Sequence, residues 1–358
     1  MICVSSQSDR PAQTIQARLD EPAQLIQAQP DIPRVERTAI ALSRLLPNLG
    51  RPEESVRRLY AGTVHSMLLY GAPVWAEKLC ATRKLKDSVH RVQRRVACRI
   101  CRDYRTISGV AAGVLAGIPP AELLTRMYAD IYRRTCELKE EGKVITDRVR
   151  SVVKVHHRRI LIERWVGDLQ NPRSPGRRTV EAVLPCFKEW LDRAHGGVTY
   201  RMTQVLIGQG CFGEYLGRIK RERTTNCHHC GHQRDDAEHT LEGCPSWGCE
   251  RADLVAAVGR DLTMPTIVSA IVGSKDRWAA FSFFCERVIS QKEEAERERE
   301  RAGRNACAQS SEEEESEGGG VPPLFPPSTV VPASVAVCGG GGRGRGAHLI
   351  PASTIDVG

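Results

Sequence analysis

A chain of 358 residues with a formal charge of +9 has 27% charged but only 5% aromatic side chains, enough for about two domains with cores of Leu, Val, Ile and Ala. No basic-then-apolar leader follows Met1, and the longest apolar runs, 107–118 and 262–272, contain Gly or Pro and are too short to cross a bilayer. These features exclude a small secreted disulfide scaffold and a membrane protein, and predict an intracellular chain, nuclear or cytoplasmic, whose 14 cysteines are reduced.

Residues 1–33 are rich in Gln, Ala and Pro, with a loose echo between Pro11-Ala12-Gln13 and Pro22-Ala23-Gln24, and read as disordered or weakly helical. From Arg34 the pattern changes. Val35, Ile40, Leu42, Leu45 and Leu46 predict an amphipathic helix closed by the turn Pro47-Asn48-Leu49-Gly50. Pro52 suits the first turn of the next helix, marked by Val56, Leu59, Val64, Met67 and Leu68. In 83–105, Leu85, Val89, Val92, Val96 and Ile100 form an apolar stripe, and Arg91, Arg94, Arg95, Arg99 and Arg102 lie off it. Such a helix could pack on a core and offer a row of guanidinium groups to phosphates, or the arginines could be a solvated face.

After the small-residue stretch 108–117, Pro119-Pro120 opens another helix, marked by Leu124, Met127, Ile131 and Leu138. Within it, Tyr128-Ala129-Asp130 is not a polymerase turn, because Ile131 stands where the second metal-binding carboxylate is needed. Residues 141–178 are basic, and the adjacent pair His156-His157 cannot face one ion from a helix, so these read as surface histidines. A loop is expected at 171–176, then helices around Leu184–Leu191 and Met202–Ile207, with Gly208, Gly210 and Gly213 loosening the chain. Lys220, Arg221 and Arg223 form a basic lead-in to a cluster of cysteines and histidines.

Cys227, Cys230, His239 and Cys244 have the spacing C-x2-C-x8-H-x4-C. Two thiolates from one tight turn, with a histidine and a cysteine from a short loop, can complete a tetrahedron around Zn2+ and leave no open position for water, so the role is structural or nucleic-acid gripping. Cys249, His228, His229 and His232 compete as ligands, and Cys249 could replace Cys244. Asp235, Asp236 and Glu238 read as a polar loop delivering His239, and Trp247 as core for the small module, with stacking on an unpaired base as the other reading. Leu254, Val258, Leu262, Ile267, Val268, Ile271, Trp278 and Phe281 predict two closing helices. Residues 293–301 read as a solvated charged helix, and 302–358 as a disordered tail. Residues 291–317 carry 5 basic and 10 acidic side chains, which leaves a surplus of +14 elsewhere, suited to a polyanionic partner.

Several motifs recur together in order. They are Ala41-Leu42-Ser43-Arg44-Leu45-Leu46-Pro47-Asn48-Leu49-Gly50, Val64-His65-Ser66-Met67-Leu68-Leu69-Tyr70-Gly71-Ala72-Pro73-Val74-Trp75, and Leu115-Ala116-Gly117-Ile118-Pro119-Pro120, then Thr203-Gln204-Val205-Leu206-Ile207-Gly208-Gln209-Gly210-Cys211-Phe212. With the cysteine cluster they resemble the region after the catalytic palm in reverse transcriptases (Pol polyproteins) of arthropod non-LTR retrotransposons, over roughly 34–301. The resemblance implies a mainly α fold: a thumb-like helical region 34–140, a basic helical connector 141–222, a zinc knuckle 223–250 and closing helices 251–301, while the segment 1–33 and the tail 302–358, read from composition as disordered, match nothing in it. It further implies a fragment that binds RNA or DNA beside the upstream polymerase and endonuclease portions of the element. Without polymerase carboxylates it is expected to be no enzyme by itself. A zinc-stapled protein-interaction scaffold, or a decayed element remnant, is the alternative.

Overall fold

The computed structural model describes residues 30–50, 52–103 and 106–316, and by backbone contacts the chain divides into two units, Met1–Ala302 and Gly303–Gly358. The expectations for 1–29 and 317–358 lie outside the described residues. The architecture is mainly α, and no strand occurs among the described residues.

The first helix, α1 (Ile32–Ser43), starts where the Asp31 carboxylate accepts the Arg34 N–H at 3.0 Å and Pro33 sits in the first turn, where its missing N–H costs nothing. Next come α2 (Glu54–Leu68), α3 (Ala72–Ala81) and α4 (Arg83–Ile100). The stripe expected on α4 is buried at Val89, Val92, Val96 and Ile100, and α4 packs against α1, α2 and α5 (Gly109–Ala116). Helix α5 is short and buried at Ala111, Ala112, Val114, Leu115 and Ala116, capped by the Ser108 hydroxyl and ended by Gly117 at φ 66°. Small residues here allow close helix contact.

Two long helices follow, α6 (Ala121–Glu140) and α7 (Asp147–Leu169), joined by a short connection and packed on each other. Helix α6 also runs along α3. Tyr128-Ala129-Asp130 lies inside α6, where Asp130 pairs with Arg133 at 3.2 Å and approaches Arg164 at 3.9 Å. After the loop at 171–176 come α8 (Arg177–Val183), a single 3-10 turn, α9 (Phe187–Asp192), α10 (Tyr200–Ile207) and α11 (Gly213–Arg218). Trp190 is fully buried, and its indole N–H donates to the Val114 carbonyl at 3.0 Å, tying α9 to α5.

The closing region differs from the two expected helices: it has α12 (Gly248–Val258), α13 (Met264–Val272) and a continuous α14 (Lys275–Ser316). Residues 302–316, expected in the disordered tail, continue α14. The start of the charged stretch is not a solvated face either. Lys292 and Glu293 are buried, because each finds an opposite charge across the core.

Gly208, Gly210 and Gly213 do not loosen the chain. At Gly210, φ is 132° and an added Cβ would overlap the Gln204 side chain, and at Gly213 it would meet the Thr225 and Asn226 carbonyls. Here glycine allows a close backbone approach. The cysteine–histidine stretch also adds to the common core, since Cys227, Leu241, Cys244 and Trp247 belong to the same buried cluster as Trp190 and Phe281.

Candidate functional site

Four side chains converge between α11 and α12. The ligand atoms of Cys227, Cys230, His239 and Cys244 all lie within 4.8 Å of one another. The Sγ atoms of Cys227 and Cys244 are 3.9 Å apart, and Cys230 Sγ is 3.2 Å from His239 Nε2. A tetrahedral ion with bonds of about 2.0–2.3 Å spaces such atoms about 3.5–3.8 Å apart, so the group can hold a metal ion.

Local backbone chemistry builds this arrangement. The Gly231 N–H donates to the Cys227 carbonyl at 2.8 Å, and Gly231 takes φ 77°, which closes a tight turn around the first cysteine pair. The Cys227 N–H returns to the His232 carbonyl at 2.8 Å. On the other side, the Asp236 carboxylate accepts the His239 N–H at 2.7 Å and starts the π turn His239–Gly243, whose end places Cys244 N 2.7 Å from the His239 carbonyl. Arg251 of α12 donates to the carbonyls of Leu241 and Cys244, both at 2.6 Å. The expected polar loop is therefore only partly polar: Asp236 acts as a cap, whereas Asp235 is buried.

Burial pushes the Cys227 thiol up to about 12, so a cation is needed to hold it as a thiolate. Burial, aided by His232, lowers His239 and favours the neutral imidazole that a metal requires. The competing residues are otherwise engaged. His228 Nε2 is 2.8 Å from Glu222, the His229 ring lies 4.8 Å from Trp247, and His232 stacks on His239 at 4.5 Å. Cys249 is exposed on the first turn of α12, outside the cluster. Trp247 is buried, as expected of a core residue.

The basic residues expected to meet phosphates are placed unevenly. Arg91 is exposed and donates to the Ser88 hydroxyl at 3.1 Å. Arg94 donates to the Ile107 carbonyl through Nε and a terminal nitrogen, at 3.0 and 2.7 Å. Arg95 lies 3.4 Å from Glu36, and Arg99 reaches the Leu46 carbonyl and Asn48 Oδ1, both at 3.3 Å. Arg102 takes a left-handed backbone, φ 56°, and donates to the carbonyls of Gly50 and Pro52. Most of this row thus fastens neighbouring loops to α4. In the lead-in, Arg221 pairs with Glu296 and Glu300 of α14, while Lys220 and Arg223 are exposed with no partner among the described residues.

The residues that sequence reasoning missed are those that seat the cluster on α14. Lys292 reaches the Asp235 carboxylate, and Glu293 accepts from Arg201 and Gln204 of α10 at 3.0 and 2.6 Å. Glu222 bridges Arg299 and His228, both at 2.8 Å. Their partners are distant in sequence, and no periodic signal marks them.

Over 259 residues, 70% of its length, the chain is 28% identical to a 115 kDa protein in the type-1 retrotransposable element R1DM of Drosophila melanogaster, covering 25% of that protein. Over 254 residues it is 25% identical to a retrovirus-related Pol polyprotein from the type-1 retrotransposable element R1 4 of Nasonia vitripennis, covering 62% of it. The chain therefore spans less than two thirds of either relative. No family model and no solved structure matches it. The resemblance drawn from the ordered motifs is upheld: the chain is similar to a region of insect non-LTR retrotransposon proteins.

Proposed function

We propose that the chain is a nucleic-acid-binding region of a non-LTR retrotransposon reverse transcriptase, holding Zn2+ at Cys227, Cys230, His239 and Cys244 and unable to polymerise by itself. The observation that carries this reading is the closed set of three sulfurs and one imidazole nitrogen, preceded by the exposed cations Lys220 and Arg223. Three cysteines favour a borderline-soft ion, and four protein ligands exclude a reactive water, so the zinc would fix the fold and not act as a hydrolytic centre. The similarity to retrotransposable-element proteins supports RNA or DNA as the partner, together with the polymerase and endonuclease portions of such an element. Such a partner implies an intracellular location, nuclear or cytoplasmic.

Fluorescence anisotropy with a labelled RNA across a salt series, before and after chelation, tests this reading. Affinity that falls with salt and collapses on chelation is expected, and a folded, zinc-loaded chain that binds no nucleic acid would overturn it. Magnesium-dependent primer extension by the purified chain would overturn the claim that it does not polymerise.

The second reading is a zinc-stapled interaction scaffold. One observation favours it: Arg94, Arg99 and Arg102 donate to the protein's own carbonyls and do not stand as an open row.

A further inference from the structure

Helices α6 and α7 leave the core together. Between Arg126 and Ile160 only Leu138 is buried, whereas α6 is anchored at Ala121, Leu123 and Thr125, and α7 at Leu161, Trp165 and Leu169. The hairpin packs helix on helix, with α6 also running along α3 and Arg158 of α7 paired with Asp192 of α9. Residues 126–160 hold ten Lys or Arg and five Asp or Glu, and the acidic side chains end at Asp147. Residues 148–164 of α7 hold six Lys or Arg and one acidic residue, Glu163.

Three of the six cations have carboxylate partners: Arg158 with Asp192, Arg159 with Glu163 and Arg164 with Asp130. Arg148, Arg150 and Lys154 are exposed and have none among the described residues. A stiff helix that carries unneutralised cations away from the core presents charge without the entropy cost of ordering a loop. A polyanion complements it, because each phosphate contact releases condensed counterions. The exposed surface of α7 carries Val152, Val155 and the His156 ring beside these cations, and α6 adds the exposed Tyr128 and Tyr132. Phosphate contacts need no ring, and the three unpaired cations suit the backbone of a duplex. Residues 148–160 extend about 18 Å along the axis, longer than the roughly 12 Å width of a duplex major groove. A cleft of about 740 Å³ between the helices has mixed charge, lined by Arg133, Arg148 and Arg164 together with Asp130 and Glu137.

We propose that the α6–α7 hairpin is a docking arm for the phosphate backbone of a nucleic-acid duplex, gripped by Arg148, Arg150 and Lys154. This rests on the reading of the chain as a nucleic-acid binder and gives it a surface separate from the cysteine cluster. The test is anisotropy of the full, zinc-loaded chain with a labelled DNA duplex and the matching single strand, for the natural sequence and for Arg148→Gln/Arg150→Gln/Lys154→Gln. The triple variant should bind the duplex at least about tenfold more weakly near 0.1 M salt, with a log–log salt slope smaller by about 2–3. Its helical content and thermal midpoint should be unchanged, and a single Arg150→Glu variant should move affinity in the same direction. Equal duplex binding by the natural chain and the triple variant overturns the arm but leaves the nucleic-acid reading standing. Binding confined to the single strand also overturns the arm, and absence of binding to either probe overturns both.

Discussion

Asp235 and Lys292 form a buried ion pair, with Oδ1 2.7 Å from Nζ and the two side chains 3% and 2% exposed. The same carboxylate accepts the Gly213 N–H at 2.9 Å, so one side chain joins the cysteine–histidine loop, the start of α11 and the middle of α14. Removing one member of such a pair strands the other charge in a low-dielectric site. Lys292→Met should therefore destabilise the fold by about 3–5 kcal/mol in urea unfolding, and Asp235→Asn/Lys292→Met should cost less than Lys292→Met alone. A single variant as stable as the natural chain would show that the pair is not formed.

The metal ligands separate Cys244 from Cys249. Cys244→Ser should lose the bound ion and show a lowered helical signal that a chelator does not change further, while Cys249→Ser should keep one ion per chain by elemental analysis. Metal loss from the Cys249 variant alone would reverse the assignment.

Arg57 is fully buried, and its guanidinium donates to the carbonyls of Pro52 at 3.2 Å, Arg99 at 2.6 Å and Pro47. Burial holds its pKa down to about 10, with Arg102 adding to the effect, yet it stays charged at neutral pH. Arg57→Met leaves those carbonyls without donors and should cost about 3 kcal/mol, whereas Arg91→Gln, at an exposed site, should change stability by less than about 0.5 kcal/mol. Chemical denaturation of both variants decides this.

His65 gives a pH-dependent term. Burial lowers its pKa from 6.5 to about 4, and its Nε2 is buried without a partner. The unfolded chain therefore takes up the proton first. This contribution is complete above about pH 6.5 and is lost as pH falls towards 4, on the order of 3 kcal/mol in all. His65→Phe should flatten the stability profile between those limits, and an unchanged acid limb would assign the loss to other groups.

Much of the helical plan was legible. The stripe on α4 is buried where its period placed it, because a repeat near 3.6 puts those side chains on one face whatever they pack against. The cysteine–histidine cluster was legible too, since two short-range turns bring its ligands together and their spacing is nearly their geometry. The chosen four converge, and the nearby histidines have other partners.

Other features were not legible. Periodicity said that Arg94, Arg99 and Arg102 lie off the stripe, but not whether water, phosphate or the chain's own carbonyls would occupy that side. Residues 292–293 look like any charged helix in sequence, yet they are buried because α10 and Asp235 supply opposite charges from up to 92 positions away. What the sequence by itself determined are the short-range matters: helix periods and ligand spacing, each set by residues within a few turns of one another. Tertiary structure alone decided which charges are paired and buried and which, like Arg148, Arg150 and Lys154, stay exposed. A charge's role depends on the dielectric and partners around it, and those come from distant parts of the chain.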